Sequence, residues 1–350
     1  MKRKHKKIGR AIGRTTLTVG GLALAGAALY TDFMTSVIAR RRSATSDALM
    51  TIATKRHPDD IDPIYEGWAS TFKASVTEKV SVISFDELTL QGHWYPVEGA
   101  TRTVICAHGW HSRWNLDFSG IGPFLHENNC NVLLIEQRAH GESEGELISY
   151  GIRERYDILT WLDWLDKHHG GLPVYLYGVS MGAATVLMTA TLPIAGRVRG
   201  IISDCGYSDP QEIVHITLEK SLGKFSNHTL AAVNINCKMR GNFTLSDYSP
   251  LQAMRENTEI PCLFIHGDAD GFVPCRMSVE NYTACQAPKA LLLVEGADHA
   301  MSFVIETEAY KQTVLKFLAD HDPAPATDPE PDFCSEAQEP SKSKKRGRRV

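Results

Sequence analysis

Residues Val174–Val186 read VYLYGVSMGAATV. Mostly apolar residues run into Gly178-Val179-Ser180-Met181-Gly182, and a small-residue, helix-compatible stretch follows. The reading is strand, sharp turn, helix, with a serine at the tip of the turn. In a G-x-S-x-G elbow, a side chain at either glycine would clash with the tight turn and the backbone facing it. The turn holds the Ser180 hydroxyl at the sheet edge, at a helix N-terminus whose amides and dipole favour a nearby oxyanion. The pentapeptide by itself is weak evidence, since a plain turn carrying a surface serine has the same sequence. Its surroundings decide.

Outward from the elbow, strands and helices alternate from about residue 80. Strands are predicted at Val80–Phe85, Leu88–Tyr95, Thr103–Ala107, Val132–Glu136, Val174–Gly178, Gly200–Ser203, Cys262–His266 and Ala290–Val294. Continuous apolar strands separated by helices predict an α/β fold, with a mostly parallel eight-stranded sheet covered by helices on both faces. The helical pattern Arg153–His168 places Tyr156, Leu159 or Thr160, and Trp164 along one face. Residues 207–248 break the rhythm with helix-like stretches at Pro210–Leu222 and Thr229–Met239, and read as a small helical cap over the C-terminal edge of the sheet. This core domain spans residues 80–320, preceded by a helical lead-in at 43–79 interrupted at Pro58 and Pro63.

The net charge of −4 conceals a segregation. Residues 1–14 carry seven Lys/Arg and 341–350 carry six, neither stretch holding an acid, so the rest has 24 basic against 41 acidic residues. A body that acidic argues against nucleic-acid binding by the folded domain. Residues 321–350 are polar and Pro-rich and read as a disordered tail. At the other end, residues 1–42 combine the basic run with Thr15–Thr31, 17 residues without a charge and at the lower limit for spanning a bilayer. The leading reading is a signal anchor, membrane-bound, with the basic flank cytoplasmic and the body extracytoplasmic. A cleaved signal peptide with a small-residue site at Ala25-Gly26-Ala27, giving a secreted protein, and a cytoplasmic protein with a basic helix are the alternatives. The eight cysteines show no pairing rhythm, no C-x-x-C and no zinc-like Cys/His spacing, and assign no redox compartment.

A serine hydroxyl is a poor nucleophile unless a base accepts its proton, and the base needs an acid to fix its tautomer. Both partners follow Ser180, each just after a predicted strand. Cys262–Pro274 (CLFIHGDADGFVP) ends in an acidic loop, and Leu291–His299 (LLLVEGADH) ends in a histidine. Open α/β sheets place ligands at such strand C-termini.

The combination resembles the α/β-hydrolase superfamily from about residue 78 to residue 318. The resemblance rests on the elbow, HGDADGFVP at 266–274, GADHA at 296–300, VICAHGW at 104–110 as oxyanion loop, and EQRAHGESEG at 136–145, similar to a D-x-R-G-H-G-x-S element. Glu136 and Ala139 depart from that element's Asp and Gly. The lead-in, the 151–165 helix and the short cap further resemble bacterial membrane-anchored hydrolases related to serine aminopeptidase-like and cinnamoyl-esterase-like enzymes. The resemblance implies Ser180 as nucleophile, His299 as general base then acid, and Asp270 as third member, with Asp268 its rival and Asp298 a loop cap. It implies backbone N–H groups of Trp110 and Met181 as the oxyanion hole, with no cofactor and no metal.

His108 and His111 lack a third ligand at metal spacing and read as structural or pocket-lining. Arg138 and His140 read as scaffold, Trp161 and Trp164 as packing, and His168-His169 as a helix C-terminal cap. The expected function is a serine hydrolase (carboxylesterase-like) cleaving small-molecule carboxylic esters through an acyl-enzyme. Amide or peptide hydrolysis is the alternative, with Glu212 and Glu219 of the cap as anchors for a substrate amine. A non-catalytic binding module on the same fold is the third reading.

Overall fold

The computed structural model describes residues 25–48, 63–76 and 78–323. The eight strands are β1 (Glu78–Ile83), β2 (Thr89–Tyr95), β3 (Arg102–Ala107), β4 (Cys130–Ile135), β5 (Val174–Val179), β6 (Val198–Asp204), β7 (Cys262–Gly267) and β8 (Lys289–Val294). They form one sheet in the order β1-β2-β4-β3-β5-β6-β7-β8. β2 pairs antiparallel with β1 and β4, and every other neighbouring pair is parallel. The predicted mostly parallel eight-stranded sheet is present. Lys79 and Glu78, expected in the lead-in, belong instead to the first strand.

The sheet is apolar on both faces because successive side chains point to opposite sides of a strand. Ile105, Ala107, Leu133, Ile135 and Leu176 enter one core, while Val104, Cys106, Val132, Leu134, Tyr175 and Tyr177 enter the other. The first core is covered by the helices Glu154–His169 and Met181–Thr189, the second by Pro63–Ser75, Ile121–Glu127 and Thr307–His321. Edge strands β1 and β8 are largely exposed. Leu291–Val294 therefore reads as a buried strand in sequence and is half-covered in the fold.

The helix at 154–169 corrects one expectation. Its buried residues are Glu154, Asp157, Ile158, Trp161, Leu162 and Leu165, whereas Tyr156, Leu159 and Trp164 are only partly covered. Two buried carboxylates disguise the inward face as polar. Glu154 accepts from the amides of Ser149 and Gly151 (2.8 Å each), and Asp157 binds Arg138, so each carboxylate is compensated. Trp161 is fully buried against Gly92, where a Cβ would come within 2.8 Å of its ring.

Between β6 and β7 lie the helices Pro210–Leu222, Ser226–Gly241 and Pro250–Glu256. The first starts on an Asp209 cap that accepts from Glu212 N at 2.9 Å, with Pro210 at the first helical position. At the N-terminal end, residues 25–38 are helical, and Met34, Val37, Ile38 and Ala39 are buried against the body. No described helix is long and apolar enough to cross a membrane. Residues 15–24 of the expected span lie outside the described residues, as does the tail beyond 323. The remainder of the expected span passes directly into a segment docked on the protein.

Candidate active site

The sheet order sets the site's location. β3 is flanked by β4 on one side and β5 on the other, so the chain's winding direction reverses between β3 and β5. Ligand crevices of open α/β sheets form at this switch point, beyond the strand C-termini. Ala107 pairs with Gly178 across it, so the loops after β3 and β5 start side by side.

The loop after β5 is the elbow. Ser180 has φ 55° and ψ −114°, a backbone conformation that costs a non-glycine residue energy and is common at functional turns. The turn forms because both glycines lack a Cβ: at Gly178 it would strike the Gly182 carbonyl, and at Gly182 the Ala107 carbonyl. The Ser180 amide donates to the Asp204 carbonyl at 2.8 Å, pinning the tip to β6.

Two further loops meet Ser180. His299, after β8, has its Nε2 3.0 Å from Ser180 Oγ and its Nδ1 2.7 Å from Asp270 Oδ2. Asp270, after β7, has a fully buried side chain. Its Oδ1 accepts from the amides of Phe272 and Val273 at 2.8 Å, and Oδ2 also lies 3.0 Å from His266 Nε2. Burial alone would raise its pKa, but the His299 charge and the bonds from His266 and His299 hold it well below the usual carboxylate range. Burial alone would lower the His299 pKa, but the Asp270 charge, Cys205 and the bond to Asp270 raise it well above 6.5. The rival Asp268 is exposed and accepts from Gly296 N at 2.7 Å. Asp298 accepts from Gly271 N and from His299 N (2.9 and 2.8 Å), tying the two loops together as a cap.

The loop after β3 lies against the serine: a Cβ on Gly109 would be 3.3 Å from Ser180 Cβ. Gly109 N donates to Asp117 Oδ2 at 2.7 Å, His111 N donates to His140 Nε2 at 3.0 Å, and the Gln137 amide donates to His108 O. Those bonds fix the loop while the amides of Trp110 and Met181 donate to no group among the described residues. Amides without a partner are able to donate to an anion bound there.

Comparison with known proteins bears on the fold. The family model for the alpha/beta hydrolase fold matches residues 102–231. The Pyrococcus furiosus esterase Pf2001 superposes with TM-score 0.58 at 22% identity, covering 71% of this chain and 94% of that one. Est1E from Butyrivibrio proteoclasticus, solved with ferulic acid bound, gives TM-score 0.53 at 18% identity, covering 69% and 100%. The chain has the α/β-hydrolase fold. Among sequence relatives, the uncharacterised protein YqkD of Bacillus subtilis is 27% identical over 304 residues, covering 86% of the chain and 96% of the relative. YfhR of Escherichia coli K12, also uncharacterised, is 25% identical over 252 residues, covering 69% and 80%.

Beside Ser180 the protein has a cleft of about 460 Å³ including its open mouth. Its lining is overwhelmingly apolar and includes Met181, Trp110 and the cap residues Ile213, Val214 and Leu218. Glu212 and Glu219 do not line it, and Glu212 is paired outward with Arg276. His108 donates from Nδ1 to Gly109 O and accepts from Gln137 N at Nε2, and His111 Nε2 donates to Arg40 O, so both histidines are tied into the scaffold. No group of His, Cys, Asp and Glu suited to a metal occurs among the described residues.

Several residues around the site escape a reading from motifs. Asp204, at the end of β6, accepts from Tyr310 OH at 2.6 Å, and burial raises its pKa to about 6. Asp117 and Gln137 brace the loop after β3, and His266 braces Asp270. Gln137 and Asp204 sit at strand ends, but Asp117 closes a short helix and His266 lies within β7, so no local pattern marks the four together.

Proposed function

We propose that this α/β hydrolase is a serine esterase acting on small carboxylic esters through an acyl-enzyme. The observation that carries the reading is the continuous chain of hydrogen-bond contacts from Ser180 Oγ through His299 to Asp270, with distances of 3.0 and 2.7 Å. His299 Nε2 takes the Ser180 proton as Oγ attacks the ester carbonyl, and the Trp110 and Met181 amides receive the oxyanion. The C–O bond to the alcohol breaks as His299 returns the proton to the leaving oxygen. Water then adds to the acyl-enzyme carbonyl with His299 again as base, and the acid and free serine are released. The raised His299 pKa supports the imidazolium that each half-reaction forms.

The apolar cleft favours an ester over an amine-bearing amide, because Glu212 and Glu219 stand outside it and no other lining residue is acidic. The test is labelling by a fluorophosphonate probe together with turnover of short-chain p-nitrophenyl esters. The wild type reacts in both assays, and Ser180→Ala, with an unchanged circular dichroism spectrum, reacts in neither. A labelled Ser180→Ala protein or an inert wild type would overturn the reading. Membrane association is proposed on the sequence alone, from the basic run and the uncharged stretch that follows it. Sedimentation of the full chain with membranes, and release on removing residues 1–24, tests it.

A further inference from the structure

One wall of the cleft comes from a segment far outside the 102–231 match. Ile38, at the end of the helix at 25–38, is 4% exposed and lines the cleft together with Ser180. Its carbonyl accepts two side-chain hydrogen bonds, from Trp110 Nε1 at 3.1 Å and from Tyr150 OH at 2.8 Å. The following residues continue the attachment. Ala39 O accepts from Ile148 N at 2.8 Å, and Arg40 O lies 2.7 Å from His111 Nε2. The Trp110 ring is thus held between this strap and the stacked His111 ring, at 3.8 Å. Ile38 is fixed relative to the loop after β3, whose Gly109 lies against Ser180.

The cleft holds Ser180, Trp110 and Met181 but not His299. His299 must face the leaving oxygen to protonate it, so the alcohol departs on the His299 side. The substituent that stays on the carbonyl, the acyl chain, points into this cleft. Ile38, Trp110, Ile213, Val214 and Leu218 all project into this cleft, and that crowding suits an acyl chain of a few carbons rather than a long one.

We propose that Ile38 is a specificity-determining residue, closing the acyl pocket from the N-terminal side and restricting the enzyme to short acyl chains. This inference rests on the esterase reading. The test compares wild type, Ile38→Ala, Ile38→Val and Ile38→Trp on p-nitrophenyl acetate, butyrate and octanoate, with fluorophosphonate labelling run alongside. The octanoate-to-acetate ratio of kcat/KM rises about tenfold or more in Ile38→Ala, the size of effect that a few methylene contacts have in an apolar pocket. It rises less in Ile38→Val and falls below wild type in Ile38→Trp. Ile38→Val removes a single methylene and keeps the test open if the alanine variant does not fold. An unchanged ratio in the folded variants, or equal loss on every ester, overturns the role of Ile38 and leaves the esterase reading standing. A wild type that is neither labelled nor active overturns both.

Discussion

Ser180, Asp270 and His299 come from three loops spread over 119 positions of the chain, and each is fixed by groups outside the trio. The buried Asp270 carboxylate is held by two backbone amides and by His266 as well as by His299. Asp270→Asn therefore leaves the loop in place but lets the imidazole settle in the wrong tautomer, and kcat falls on the order of 10³–10⁴. Asp268→Asn, exposed and bonded to Gly296 N, changes kcat little. Steady-state kinetics on one ester compares the two, and the opposite ranking would reassign the acid. His299 must be neutral to accept the Ser180 proton, and its pKa lies well above 6.5. The kcat/KM of the free enzyme therefore rises with pH through a limb displaced above 6.5, and Asp270→Asn moves the residual limb down because the raising charge is gone. Stability has two limbs. The Asp270 contribution is present above its ordinary 3.8 and lost as pH falls towards its lowered value, while that of His299 is complete below 6.5 and lost as pH rises through its raised value.

The helix Glu154–His169 shows how a sequence pattern misleads about one element. Its inward face carries Asp157, whose oxygens lie 2.7 and 2.6 Å from Arg138 Nε and Nη2, and Arg138 also reaches Asp86. The Arg138 and Asp157 side chains are 4% and 3% exposed. Removing one partner strands the other charge in the core, so Arg138→Ala costs about 3–5 kcal/mol in denaturant unfolding. Arg138→Met combined with Asp157→Leu recovers much of that loss, since no unpaired charge remains. Equal instability of the single and double variants would show that shape, not charge, is what the pair supplies. The elbow was legible for the opposite reason. The requirement for glycine at 178 and 182 is a local steric one, met within five residues of the serine, so the motif states its own conformation.

The N-terminal segment is where the whole molecule departs from a reading of its parts. Residues 1–42 read as a separable anchor, yet Met34, Val37, Ile38 and Ala39 pack into the core, and Asn236 of the cap donates to Thr35 Oγ1 at 3.0 Å. Deleting residues 1–24 keeps every one of those side chains and serves as the reference. Deleting 1–43 strips three large buried side chains, worth on the order of 5 kcal/mol by area, and lowers the melting temperature by roughly 10 °C or more. Calorimetry of the two truncations checks this, and matching melting temperatures would mean the segment is dispensable.

Strand periodicity and the glycine spacing of the elbow determined the sheet and the place of Ser180, because both depend on neighbours within a few residues. The order of motifs along the chain also named His299 and Asp270. Only the tertiary structure decided which carboxylates face inward, that Glu212 turns away from the cleft, and that Ile38 closes it. Those outcomes depend on compensation by residues 19 to 112 positions away, as between Arg138 and Asp157 or Ile38 and Tyr150, and a partner at such a distance leaves no local pattern in the sequence.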